Sequence, residues 1–215
     1  MYKSLHLDHP HVPIFGHSLI QYKNKAIVFG GANADDLNEV SIIDLKSMKY
    51  KQGSRSPFRR RCHACCVVGR YMIIHGGIEA GEVQSQVMIY DIEGDRWYSP
   101  SCLNFPSLSH HQVVYPQSRR QKKIKALDNE SLYIFGGLNE KGVSQNRMYK
   151  IKFNNENDVI AEKVSTANTP EARYSFCLEP FDSNTLFLYG GRNHDEINGP
   201  FASNGIFSDV YLYNI

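Results

Sequence analysis

The stretch CHACC at positions 62–66 holds Cys62, Cys65 and Cys66, three of the five cysteines in the chain, with His63 among them. Thiols and an imidazole this close raise two kinds of chemistry, a zinc site or an activated thiolate. A tetrahedral zinc site needs four ligands, ordinarily from two spaced pairs, and no second C-x-x-C occurs. In a strand, Cys62, Ala64 and Cys66 point one way and His63 and Cys65 the other, so the sulfurs do not converge. A second cluster, HLDHPH, puts His6, His9 and His11 on one loop, but no HExxH helix or carboxylate pair accompanies it. No G-x-S-x-G elbow, G-x-G-x-x-G turn or G-K-[ST] loop is present either. The residues therefore predict no metal, no cofactor, no catalytic residue and no enzymatic activity.

A third group is basic. SRSPFRRR (54–61) carries Arg55, Arg59, Arg60 and Arg61. Guanidinium forks match carboxylate and phosphate groups, which points to an acidic or phosphorylated peptide as ligand. The insertion YPQSRRQKKIKALDNES (115–131) is also basic, with Arg119, Arg120, Lys122, Lys123 and Lys125. It has no aromatic residue between its charges on which a base would stack, so it reads as a solvated insertion rather than a nucleic-acid surface. The formal net charge of +2 agrees, since dedicated nucleic-acid binders are usually more basic.

The elements that must position these groups show in a repeat. IVFGG (27–31), IIHGG (73–77), YIFGG (133–137) and FLYGG (187–191) end four apolar runs with glycine pairs: Gly30 and Gly31, Gly76 and Gly77, Gly136 and Gly137, Gly190 and Gly191. The pairs are 46, 60 and 54 residues apart, a spacing typical of propeller repeats. About a dozen residues before each lies a short strand, GHSLI, CHACCVV, HHQVVY and SFCL; the last replaces the histidine with Phe176. After each comes a polar loop and a further strand: VSIID, VMIYD, MYKIK, VYLYN. A fourth strand carries an aromatic six residues after Asp44 and Asp91, at Tyr50 and Trp97. Aromatics make up 12% of the 215 residues, which favours strands, and no stretch has a helical period. The expected fold is all-β, a β-propeller of four-stranded antiparallel blades. The glycines supply the sharp turn and close backbone approach needed where the second strand ends.

The ordered set in RRRCHACCVV…YMIIHGG…VMIYDIEGDRW (59–97) resembles the Kelch-repeat family, and the resemblance covers essentially the whole chain. Unit three departs from it in lacking the third-strand Asp and a clear Trp, and unit four in having Phe176 for His. The resemblance implies a single propeller domain over 1–215 acting as a protein-interaction scaffold. Blades are expected at about 13–54, 59–100, 106–166 and 170–215. Some Kelch-like propellers are metal-dependent enzymes, but none of their ligand sets transfers here by position. The alternative function is a small propeller enzyme acting on an anion at the channel mouth.

The chain ends on a third strand, YLYNI, and begins with MYKSL, which sits in fourth-strand phase before unit one. The expectation is that residues 1–5 pair with 208–215 and clasp the ring. Part of a longer ring and a ring shared by two chains are the other two arrangements; the last would make the chain a homo-oligomer. Strand order then puts the loops 32–39, 78–86, 138–146 and 192–208 on one face with the inter-blade segments 6–15, 53–61, 99–109 and 165–173. On that face the residues expected to bind a protein or peptide, acidic by the arginine argument, are Arg55, Arg59, Arg61, Arg192, His194, Phe201 and Phe207. Arg60 and Arg173, three residues before the His/Phe column, are read instead as ties between neighbouring blades. Five cysteines, an odd number with three clustered, argue against a disulfide framework; no apolar signal core or membrane-spanning run is present. A cytoplasmic protein is expected.

Overall fold

The computed structural model describes residues 13–116, 127, 130–155, 157–165, 168–193 and 205–215. Strands Ser18–Tyr22 (β1), Lys25–Phe29 (β2), Val40–Asp44 (β3) and Tyr50–Gln52 (β4) form the first antiparallel sheet, ordered as in the sequence. The second unit contains Ala64–Val68 (β5), Tyr71–His75 (β6), a small hairpin of Ile78–Glu79 (β7) and Glu82–Val83 (β8), Val87–Asp91 (β9) and Arg96–Tyr98 (β10). Its sheet order is β10-β9-β6-β5. In the third, Ser101–Leu103 (β11) is followed by Gln112–Val114 (β12), Ser131–Phe135 (β13), Met148–Asn155 (β14) and Asp158–Val164 (β15). The fourth contains Cys177–Pro180 (β16), Thr185–Tyr189 (β17) and Val210–Asn214 (β18), in that order. No α-helix occurs among the described residues, so none there is long and apolar enough to cross a membrane.

The third blade differs from the expected four strands. β11 leaves the second unit and pairs in parallel with β15, making a five-stranded sheet. The missing third-strand aspartate explains part of this blade's shape. In the first two units Asp44 and Asp91 accept backbone amides two and three residues on, from Lys46 and Ser47 and from Glu93 and Gly94, which closes a tight turn into the fourth strand. Lys152 pairs with Ser131 at the start of β13, where the first two units have those aspartates. Here the third strand continues for eight residues and turns back with a register shift between Phe153 and Asn155.

The blades pack face to face through alternating side chains. Ile27, Phe29, Val40 and Ile42 of blade one meet Met72, Ile74, Met88 and Tyr90 of blade two. On the other face of blade two, Ile73, Val87 and Ile89 meet Leu132, Ile134 and Ile151 of blade three. Tyr133, Phe135 and Met148 then meet Phe176, Leu186, Leu188 and Tyr213 of blade four. Along the axis β1 packs beside β5, β5 beside β12 and β12 beside β16, and no comparable packing joins β16 to β1. The expected clasp strand at residues 1–5 lies outside the described residues.

Candidate interaction face

The glycine pairs are the joints that bring successive blades together. Gly76 has φ +63°, and a Cβ there would lie 2.3 Å from the carbonyl oxygen of Leu108, in the segment entering the next blade. That carbonyl accepts from the following amide, Gly77, at 2.8 Å. Gly31 donates in the same way to Arg60 O at 2.7 Å and Gly137 to Arg173 O at 2.8 Å. A second series runs around the axis: the amides of Cys62, His110 and Ser175 donate to the carbonyls of Gly16, Cys62 and His110 respectively. The three segments that join one described blade to the next are thus held by backbone bonds, which makes the loops they carry a rigid surface.

Three of the segments expected on one face, 32–39, 53–61 and 78–86, meet there. The carboxylate of Asp36, on the loop after β2, pairs with Arg61 and accepts from the amide of Ala80, on the loop after β6. Arg55 pairs with Glu39 at 2.7 Å, both largely exposed. The Arg59 amide donates to Glu79 Oε1 at 2.9 Å and its guanidinium to the Asp36 carbonyl at 3.2 Å. The expectation of free guanidiniums therefore needs revision. Arg61 and Asp36 form a partly buried pair that braces the loops, Arg55 has an exposed partner, and the Arg59 guanidinium alone of the three has no carboxylate partner among the described residues.

Arg60 and Arg173 are completely buried. Their side chains tie each inter-blade segment to the blade it enters, not to the one it leaves. Arg60 donates to Glu79 at 2.6 Å and also bonds Gln86. Arg173 holds Asp209 through both carboxylate oxygens, at 2.6 and 2.9 Å, and donates to Gly190 O. Its guanidinium lies 4.1 Å from the Phe207 ring centroid, so Phe207 is half-buried beneath a cation. Arg192 is exposed, with its guanidinium 4.8 Å from the Tyr174 ring centroid. His194 and Phe201 lie outside the described residues, as does most of the basic insertion.

Cys65, Cys66, His63, His75 and His111 sit between blades, off the loop face. Burial pushes the Cys65 thiol up to about 11 and Cys66 well above its usual range, which keeps both protonated and poorly nucleophilic. Burial also drives His63 and His75 down to about 3 and His111 well below its usual value, so all three are neutral. His63 Nε2 lies 2.8 Å from Ser18 Oγ in the preceding blade, and His75 Nδ1 lies 2.9 Å from His111 Nε2 in the following one. These imidazoles are inter-blade connectors, a role missed in reading the column only as a repeat marker; the alternation of facing directions in β5 and β6 was the available signal.

A cleft of about 300 Å³ opens on the loop face between blades two and three, lined by Ser107, Leu108, Asn139, Glu140, Lys141 and Gln145 among others. It contains neither a histidine nor a cysteine.

Blades of this order, with glycine-paired second strands, define a β-propeller repeat protein. Residues 5–120 match the family described as the KLHDC2/KLHL20/DRC7 Kelch-repeats domain. This chain belongs to the Kelch-repeat family. It is 31% identical over 98 residues to Protein ral2 of Schizosaccharomyces pombe, covering 40% of this chain and 16% of that protein. It is 26% identical over 194 residues to the F-box/kelch-repeat protein At1g51550 of Arabidopsis thaliana, covering 84% and 39%. With the putative F-box/kelch-repeat protein At3g27910 of the same plant it shares 30% over 130 residues, covering 59% and 33%. The chain thus spans two-fifths or less of the length of these relatives.

Proposed function

We propose that this chain is a non-catalytic, cytoplasmic interaction module that holds an acidic segment of a partner protein against the loop face of its blades. The observation that carries this reading is the guanidinium pair at the edge of that face. The Arg59 guanidinium has no carboxylate partner among the described residues, and the side chain of Arg55, four residues before it, is 63% exposed. An incoming carboxylate gains charge-assisted hydrogen bonds there without breaking a buried pair. Supporting the non-catalytic reading, Cys65, Cys66, His63, His75 and His111 are sequestered between blades in their neutral forms, and the loop-face cleft is lined by no histidine or cysteine. The cytoplasmic assignment is supported by cysteines without disulfide partners. Two relatives combine, by name, an F-box with Kelch repeats, and this chain matches part of each.

The test is binding of the full chain to an array of acidic and basic peptides, repeated with Arg55→Glu/Arg59→Glu. Selective capture of acidic peptides, weakened about tenfold by the double reversal with unchanged melting, is expected; that loss equals about 1.4 kcal/mol. Capture that ignores charge, or survives the reversal, overturns the assignment.

A further inference from the structure

The outward face of blade four repeats the pattern of the sealed faces but is not sealed by any described residue. Phe187 and Tyr189 of β17 and Val210 and Leu212 of β18 occupy the registers of Ile27 and Phe29, and Val40 and Ile42, in blade one. The four in blade one are at most 6% exposed; those in blade four are 37%, 50%, 54% and 61% exposed. Beside this face is an open socket of about 570 Å³, bordered by Phe176, Cys177, Tyr189, Gly190, Gly191 and Arg192 among others.

The socket occupies the place filled at each other joint by the next inter-blade segment. A Cβ on Gly30, Gly76 or Gly136 would strike that segment's carbonyl and the ring of His63, His111 or Phe176; on Gly190 it would find only Phe207 O, at 3.5 Å. The second-glycine amide donates to the incoming carbonyl at three joints, whereas that of Gly191 has no acceptor among the described residues. The axial series likewise stops at the Ser175 carbonyl, which has no donor there.

The other end of the molecule carries the matching set. Counting back from the His column, Ile14 is the equivalent of Arg60, Leu108 and Arg173, whose carbonyls accept the glycine amides. Gly16 is the equivalent of Cys62, His110 and Ser175, whose amides continue the axial series, and its own amide has no acceptor among the described residues. His17 is exposed where His63 and His111 are buried, and Leu19, on the rear face of β1, is 62% exposed. Residues 13–19 therefore form a plug bearing the acceptor, donor, ring and apolar side chain that the socket lacks.

Among the described residues of one molecule, β1 and β16 lack the packing that joins β1 to β5, β5 to β12 and β12 to β16. We propose that two copies of this chain associate head to tail, the plug of each seated in the socket of the other, closing one ring of eight blades. Such a contact is heterologous and closes after two copies, and eight blades is within the known range for propellers, about four to eight. Closure buries both apolar faces and removes two exposed ends.

Cys177 offers a direct test. It occupies the register of Ser18, which bonds the next column histidine, so in the ring it faces His17 of the second copy. In His17→Cys, mild oxidation is expected to give a covalent species of twice 24.5 kDa on a non-reducing gel, absent in His17→Cys/Cys177→Ser. Light scattering on the unmodified chain should show the same doubled mass. Leu19→Asp and Leu212→Asp should each be monomeric alone but associate when mixed, because one interface then keeps both native sides. A monomeric unmodified chain overturns the proposal; so does a cross-link that leaves the mass at one chain, which would mean that the ring closes on itself.

Discussion

Blades two and four carry the same registers on their outgoing faces, and the fates of those faces differ. On blade two, Ile73, Val87 and Ile89 are sealed under blade three, Gly76 is pressed by the Leu108 carbonyl, and His75 reaches His111. On blade four, Phe187, Val210 and Leu212 are exposed, and Gly190, with nearly the same φ, +68° against +63°, would bring a Cβ near only Phe207 O, at 3.5 Å, among the described residues. The residue pattern of a blade thus prepares a face for burial, but the burial is contributed by the neighbour. The glycine at such a joint answers two demands, a left-handed turn that the blade itself imposes and a close approach that only the next blade imposes.

Alanine substitutions separate these two demands. In Gly76→Ala both act: the left-handed backbone costs about 1–2 kcal/mol and the collision with backbone adds about 1–3 kcal/mol more. In Gly190→Ala only the first acts, so a loss of about 1–2 kcal/mol is expected. Urea denaturation in dilute solution measures both, and equal losses would mean that the two joints impose the same demands.

A larger contrast comes from truncating equivalent apolar side chains. Ile89→Ala deletes a fully buried side chain and should cost about 2–5 kcal/mol, whereas Leu212→Ala, 61% exposed, should stay within about 0.5 kcal/mol in the dilute monomer. Should Leu212→Ala prove as damaging, the blade-four face is covered within a single chain.

The smallest effect is pH-dependent and belongs to the sealed joints alone. His63 and His75 are neutral in the fold, with values near 3, against about 6.5 in the unfolded chain. Between those values the unfolded chain binds more protons. Stability is therefore complete above about pH 6.5 and falls on acidification, by up to about 1.4 kcal/mol per pH unit for each histidine. His111→Phe copies the residue that blade four uses at the same joint, Phe176 over Gly136. It should flatten the slope between about pH 6.5 and 4.5, a window above the titration of carboxylates such as Asp209, which Arg173 holds below its usual range. Denaturation midpoints at stepped pH check this; an unchanged slope would mean that His111 does not share in the acid sensitivity.

How much of this was legible beforehand differs by level. The four units, their strand order and the shared face of the loops after second strands follow from periodic side chains and glycine pairs, which are local signals. The parallel addition of β11 to blade three was not legible, because SCL carries no mark of which edge it will join. Nor was the pairing of Arg61 with Asp36, or the burial of Arg60 and Arg173 against carboxylates of their own blades. The sequence shows a guanidinium and its charge, but a partner 19 to 36 residues away is brought within reach only by the fold.

The sequence by itself determined the repeat, the family and the alternation that makes each blade two-faced, because these depend on residue type and spacing of two. Only the tertiary structure decided which faces are sealed, which arginines are spent on bracing loops, and which histidines are neutral. Burial is a property of neighbours, and equivalent residues such as Ile42 and Leu212 differ only in whether a neighbour is there.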